Sequence, residues 1–174
     1  MLDRKPALST LITLMPVPVL AHVVEESGSV LRWRDRHPAL VRRLPSPFRE
    51  AALRVGVSHL AIFYGVMSTF IAGSAALARG APRGSGRMLV LGVAAWTTLL
   101  GVLGHATLSA GARRYTPGAG TSLALLPYAG YLVARLAQDQ ALSGRQMGLA
   151  LLLALPLDPP VHLAATLLWG RVRS

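Results

Sequence analysis

The chain is organised as long apolar runs separated by short polar and basic segments. These runs predict five membrane-spanning helices, because each is long enough to cross a bilayer core of about 30 Å at about 1.5 Å per residue. The predicted spans cover residues 7–24, 51–77, 88–108, 121–137 and 147–169. We therefore expect an all-α integral membrane bundle that forms a single transmembrane domain over residues 1–174.

The first apolar run allows two interpretations. Pro16 and Pro18 interrupt it and would kink a helix that stays in the membrane. Its basic start and the small residue Ala21 are also typical of a secretory signal peptide, cut after Ala21. The prolines and the further apolar runs favour a retained span over a cleaved signal.

The segment between the first two spans is strongly basic. Residues 27–50 carry six arginines, and Trp33 lies among them. We expect an interfacial loop or short amphipathic helix with Trp33 at head-group level and the arginines on lipid phosphates, which makes membrane lipids the expected partners. An unstructured basic loop is the alternative. With five spans, this side of the membrane carries ten basic residues against six on the other, so the positive-inside rule places it in the cytoplasm.

Composition supports a membrane protein. Hydrophobic residues make up 52% of the chain and charged residues 14%, whereas roughly a quarter of an ordinary soluble domain is charged. The net charge of +11 lies mostly between the apolar runs, without the interleaved aromatic residues that stack bases, so no nucleic acid is expected as a partner. The chain has no cysteine, which excludes disulfides and thiolate chemistry.

The end of the first apolar run carries the densest group of titratable residues. His22 lies three residues before Glu25 and four before Glu26, so on a helix both carboxylates can reach the imidazole. His59 enters the second span and His105 leaves the third on the same side, so these residues are predicted to share one leaflet. A solvated helix end is the alternative interpretation of the acidic pair.

Asp158 also belongs to this prediction, with less support. Asp158 lies near the middle of the last span, where an ionisable residue is a functional candidate, although it could simply cap a helix that restarts at Pro159. For His59 and His105, a packed histidine bonded to a neighbouring backbone is the alternative.

Three chemistries fit such a cluster. Imidazoles and a carboxylate from several helices could bind zinc or iron, with His22, Glu26, His59 and His105 as ligands. A metal-free site could transfer protons between a carboxylic acid and a histidine. A proton or ion relay would also need polar residues in the opposite leaflet, which are few here, so a cavity open to one side is favoured.

One set of residues resembles a known family. His22-Val-Val-Glu25-Glu26 at the end of a first span, followed later by His105 and by Tyr115-Thr-Pro-Gly-Ala-Gly-Thr121, is similar to the HXXEE family of small bacterial membrane proteins. The resemblance covers residues 11–132 and implies a multi-pass protein of the bacterial cytoplasmic membrane, with Tyr115 as a supporting residue. The chain departs from the family pattern at Leu108, where a glutamine is frequent, and in the second span, which offers His59 instead of an acidic residue.

The function predicted from these observations is metal-assisted or acid/base chemistry on a lipid-like or apolar substrate, such as hydrolysis, isomerisation or cyclisation. The expected catalytic residues are His22, Glu25, Glu26 and His105, with His59, Tyr115 and Asp158 in support. The alternative is a non-catalytic carrier or partner subunit in which the cluster binds a small molecule or fixes helix packing.

Overall fold

The computed structural model of the chain describes residues 6–43, 49, 53 and 56–156. All regular structure within these residues is α-helical, which confirms the predicted all-helical class. The described helices are α1 (Leu8–Leu14), α2 (Pro16–Arg36), α3 (Pro38–Arg43), α4 (Val57–Ala78), α5 (Gly86–Ala112), α6 (Ala119–Gln138) and α7 (Gly144–Ala154).

Three helical segments of the described chain are long and apolar enough to cross a membrane. They are Leu8–Arg36 with 29 residues, Val57–Ala78 with 22 and Gly86–Gly111 with 26, and they correspond to the first three predicted spans. α6 matches the fourth predicted span in position but is less apolar, because glycine, threonine, serine, proline and tyrosine dilute its aliphatic residues. α7 covers the start of the fifth predicted span. The rest of that span, residues 157–169 with Asp158 among them, lies outside the described residues.

Proline positions set the boundaries of the first helices. Pro16 lacks an N–H and crowds the carbonyl four residues before it, so α1 ends at Leu14 and Pro16 opens α2. α2 then continues past Val24, where the predicted span ended, because no proline occurs between Pro18 and Pro38. The first part of the basic segment is therefore a continuation of α2, and α3 follows it directly.

The packed core lies where α5 meets its neighbours. Leu91 and Ala94 of α5 are fully buried, as are Leu132 and Leu136 of α6. A Cβ atom at Gly92 would lie 2.6 Å from the Leu142 side chain and 3.2 Å from Ala150 of α7, so this glycine allows α7 and the turn before it to pack closely against α5. The core thereby fixes the relative positions of α5 and α6, which both contribute to the site described below.

The connection between α5 and α6 is a short turn that lies against α2. Arg113 adopts a left-handed conformation with φ of 50° and ends α5, while Gly118, with φ of 82°, precedes the first residue of α6. The indole Nε1–H of Trp33 donates a hydrogen bond of 3.0 Å to the carbonyl of Tyr115. This bond holds the turn, and with it the N-terminus of α6, beside the second half of α2.

A candidate metal and acid/base site between α2, α5 and α6

Three of the predicted site residues, two on α2 and one on α5, meet in the space between these helices. Their spacing on α2 turns His22 and Glu26 toward α5, which supplies His105. The two oxygens of Glu26 contact different histidines: Oε1 lies 3.5 Å from Nε2 of His105, and Oε2 lies 3.9 Å from Nε2 of His22. The imidazole rings lie edge to face, with centroids 4.8 Å apart. The carboxylate thus joins two imidazoles across a helix interface.

Glu25, the neighbouring acidic residue, faces a different partner. Its carboxylate accepts hydrogen bonds from the backbone N–H groups of Gly120 (3.1 Å) and Thr121 (2.6 Å), from the Thr121 hydroxyl (2.5 Å) and from the Tyr115 hydroxyl. The two N–H groups belong to the first turn of α6, where amides lack partners within the helix and a negative charge is favourable. Glu25 therefore fastens α2 to the start of α6, while Glu26 faces the histidines.

This bonding pattern also fixes the tautomer of His22. An ionised carboxylate can only accept hydrogen bonds, so the Thr121 hydroxyl must donate its hydrogen to Glu25. The same hydroxyl oxygen lies 2.8 Å from Nδ1 of His22 and must accept there, which places the imidazole hydrogen on Nδ1. The lone pair of His22 is then on Nε2, on the side of Glu26.

Gly118 is required for both its conformation and its lack of a side chain. Its φ of 82° lies in the left-handed region, and a Cβ atom there would be 2.8 Å from Cε1 of His22 and 3.1 Å from the ring of His105. The turn before α6 therefore closes directly over both imidazoles.

Tyr115 extends the contact network toward the surface. Its side chain is about half exposed, and its hydrogen bond to Glu25 raises the pKa of the phenol above its ordinary value. The hydroxyl therefore stays a hydrogen-bond donor to Glu25 over the neutral range. Together with the Trp33 bond, it attaches the α5–α6 turn to α2 at two points.

The comparison with known families fits this arrangement. A family model described as "Protein of unknown function with HXXEE motif" matches residues 13–132, which is more than half of the chain. The chain belongs to the HXXEE family. No curated protein and no solved structure gave a match. In this member the motif consists of His22, Glu25 and Glu26 on α2. Glu25 is bonded to the start of α6, and Glu26 lies between the two histidines.

The cluster of His22, Glu26 and His105 faces a cavity of about 590 Å³ between α2, α4 and α5. His22, Glu26 and His105 all line it, and most of the remaining wall is aliphatic or aromatic, for example Leu60 and Met67 of α4. Its volume falls within the range of about 300–1,000 Å³ that is usual for small-molecule sites. The titratable groups therefore face an apolar space large enough for a ligand.

Tyr64 is a site residue that the sequence analysis missed. It is buried on α4, lines the cavity and lies within hydrogen-bonding reach of the Glu26 carboxylate. A single tyrosine in an apolar span carries no local signal, and its partner is 38 positions away in the chain. Thr121 enters the sequence prediction only as the last residue of the family motif, although it connects Glu25 to His22.

Two other predicted residues are not brought into the cluster. His59 lies in the first turn of α4, about 140° around the helix from Tyr64, and is not part of the donor group formed by the described residues. Asp158 lies outside those residues, so its supporting role stays a prediction. The roles of the clustered residues in catalysis also stay a prediction.

The donor set is suited to a divalent metal ion. One donor atom from each of His22, Glu26 and His105 can be chosen so that all three lie within 4.8 Å of one another. Zinc bonds to nitrogen and oxygen at about 2.0–2.2 Å, which places neighbouring ligand atoms roughly 3.3 Å apart. The Glu26–His105 contact of 3.5 Å is already close to that value, while a donor pair at the limiting separation of 4.8 Å would have to close by about 1.5 Å. Three protein ligands would leave a further position open toward the cavity.

Proposed function

We propose that this HXXEE protein is a multi-pass membrane protein in which His22, Glu26 and His105 bind zinc or iron and act on a lipid-like or apolar substrate. The reactions that suit such a site are hydrolysis, isomerisation and cyclisation. The observation that carries the proposal is the meeting of two imidazoles and one carboxylate on the wall of an apolar cavity.

The proposal includes five spans, as the apolar runs predict, with α6 and residues 147–169 as the fourth and fifth. The excess of arginine at the end of α2 favours placing that end in the cytoplasm, with the cluster in the cytoplasmic leaflet of a bacterial membrane. A lipid-like substrate would then enter the cavity from the bilayer itself. In such a setting, ionisable side chains are costly unless they face a protein interior or a wet cavity, and this cluster faces a cavity.

The support for a metal comes from the chemistry of the donors. Imidazole and carboxylate are the ligands that zinc and iron share. The hydrogen bond from Nδ1 of His22 to Thr121 leaves Nε2 as the donor atom, and ligating histidines in proteins are ordinarily oriented by such a bond on the other nitrogen. A metal ion held there would polarise a substrate oxygen or lower the pKa of a bound water. The chain's own part is to hold the three ligands and to exclude bulk water.

A metal-free version of the same site is supported by the contacts of Glu26. This carboxylate touches both imidazoles, and the Tyr64 hydroxyl reaches it from α4. A proton could pass between Glu26 and either histidine while the substrate occupies the cavity. The same side chains then act as general acid and base.

A non-catalytic role as a carrier or partner subunit is the second candidate function. It is supported by the position of Glu25, which contributes to packing between α2 and α6 and does not line the cavity. Under this interpretation the cavity stores or transfers an apolar molecule and the cluster fixes the three helices.

The first experiment is the metal content of the detergent-purified protein, measured by elemental mass spectrometry. We expect near-stoichiometric zinc or iron in the wild type and its loss in the His22→Ala/His105→Ala double variant. His59→Ala is the matched control, because this histidine lies outside the donor group, and it should retain the metal.

Two results would count against the metal site. Wild-type protein that is folded but takes up neither zinc nor iron on reconstitution would transfer the proposal to metal-free chemistry or to the carrier role. Glu26→Gln protein with unchanged metal content would remove Glu26 from the ligand set. Stable but inactive glutamine variants would favour chemistry over packing once a substrate is in hand.

A further inference from the structure

Basic side chains concentrate at one end of the described bundle. α2 ends in a basic stretch, α3 follows it, and the Trp33–Tyr115 bond brings the α5–α6 turn to the same place. The arginines of these three segments are Arg32, Arg34, Arg36, Arg42, Arg43, Arg113 and Arg114. Asp35 is the one acidic residue in these stretches, and it pairs with Arg34 at 2.8 Å through an exposed carboxylate. This end therefore carries a strong positive charge.

The cavity reaches that basic end. Trp33, Arg34 and Val41 line it there, and Arg34 is the one arginine or lysine among the described lining residues. Glu26, Val30 and Arg34 follow each other at four-residue spacing, so they form one stripe along the wall on α2. Glu26 and Arg34 are eight residues apart, which corresponds to about 12 Å along the helix axis. Along α2 the cavity wall thus has a guanidinium at the basic end, an aliphatic middle and the His/Glu cluster about 12 Å away.

We propose that the cavity binds an anionic amphiphile, with its phosphate or carboxylate group at Arg34 and its apolar chain along Val30 and Leu60 toward His22, Glu26 and His105. The inference rests on the proposed function in taking the cavity as the substrate site, and it narrows the substrate class. Guanidinium groups bind phosphate and carboxylate through several directed hydrogen bonds, which an uncharged head group does not offer. Because the anionic group is held about 12 Å along α2 from Glu26, the bond that reacts lies in the chain or its linkage.

The test compares ligands that share one acyl chain. Binding of oleoyl lysophosphatidic acid, monoolein and inorganic phosphate to the full chain in a nonionic detergent is measured by native mass spectrometry or fluorescence competition. We expect the anionic amphiphile to bind at least about tenfold more tightly than monoolein, because one charge-assisted hydrogen bond contributes a free energy of that order. Inorganic phosphate alone should bind weakly. Equal binding of the two amphiphiles would overturn the proposal, and tight binding of inorganic phosphate would assign the site to a free anion.

Matched variants separate the cavity from general attraction to a basic surface. Arg34→Gln should remove most of the preference for the anionic amphiphile, whereas Arg36→Gln, the same charge change on the same helix, should keep it. A Cβ atom at Gly101 meets nothing within 4 Å and Gly101 lines the cavity, so Gly101→Leu should fill the space and weaken binding at least about tenfold. Gly65→Leu, at an equally open glycine that does not line the cavity, should have no effect.

The outcomes distinguish this inference from the metal proposal. Equal losses in Arg34→Gln and Arg36→Gln, or full binding in Gly101→Leu, would mean that the ligand binds the basic surface, and the inference would fail. Metal content and thermal unfolding of the same samples report on the site and the fold. Retained metal without amphiphile preference would refute this inference alone, and amphiphile binding without metal would refute the metal site alone.

Discussion

The two adjacent glutamates of the motif should fail in different ways when each is changed to glutamine. Glu25 accepts four hydrogen bonds, whereas a glutamine offers one carbonyl oxygen and turns an NH₂ group toward the remaining donors. Hydrogen bonds to charged groups contribute about 1.5–3 kcal/mol each, and two of the four are lost. Water can replace part of the lost bonds at this partly exposed side chain, so the loss is smaller than the sum of two buried bonds. We expect Glu25→Gln to lower the free energy of unfolding by about 2–4 kcal/mol.

Glu26→Gln leaves those four bonds intact. Its amide oxygen can still accept from Tyr64, so we expect a loss of about 1 kcal/mol or less in stability but a large loss of bound metal. Unfolding is measured by titration of the detergent-solubilised protein with sodium dodecyl sulfate, followed by tryptophan fluorescence, and metal content is measured on the same preparations. Equal stability of the two variants, or metal loss confined to Glu25→Gln, would refute the division of roles.

Three further predictions concern the turn over the histidines. Thr121→Val removes the hydroxyl that orients His22 and should lower metal affinity by about 10–100-fold in equilibrium metal-competition assays. Thr121→Ser keeps the hydroxyl and should keep the affinity. Equal affinity of the two variants would contradict the tautomer argument. Gly118→Ala should destabilise the fold by about 1–3 kcal/mol in the same unfolding titration, because its φ is positive and its Cβ would meet His22, while Gly111→Ala, an open helical glycine, should not. The hydrogen bond to Glu25 raises the pKa of Tyr115, so its contribution to stability is complete at neutral pH and is lost as the pH rises above about 10. Unfolding titrations should therefore show that the difference in unfolding free energy between the wild type and Tyr115→Phe becomes smaller above that pH. A difference that stays constant would contradict the argument.

The sequence was sufficient for the helices but not for all of their ends. Apolar runs located α4, α5 and α6 to within a few residues at most ends, because length and hydrophobicity are local properties. The end of α2 was predicted at Val24 since the apolar run stops there, yet the helix continues to Arg36 with Val30 and Trp33 on its cavity face. Hydrophobicity marks the extent of the apolar run, whereas the helix ends where Pro38 stops it.

The site was predictable as a set of residues but not as a set of contacts. Spacing showed that both Glu25 and Glu26 could reach His22, but a step of about 100° per residue directs one carboxylate to α6 and the other to α5. The same rotational freedom explains why His59 was included and Tyr64 was overlooked. Which face of α4 is turned inward depends on packing with α2 and α5, and this is not encoded in any single segment.

The bond between Glu25 and the first turn of α6 also has a consequence for biogenesis. The proposed ligands come from positions 22, 26 and 105, and the residue that orients His22 comes from position 121, so the proposed site requires α2, α5 and α6 to be assembled together. A nascent chain that ends before α6 holds every proposed ligand and lacks Thr121, the group that orients His22. Moving α2 by one helical turn, about 5.4 Å, would break the Glu25 bonds and separate Glu26 from His105 at once. Occupancy of the proposed metal site would therefore report that α2, α5 and α6 have assembled in the correct register.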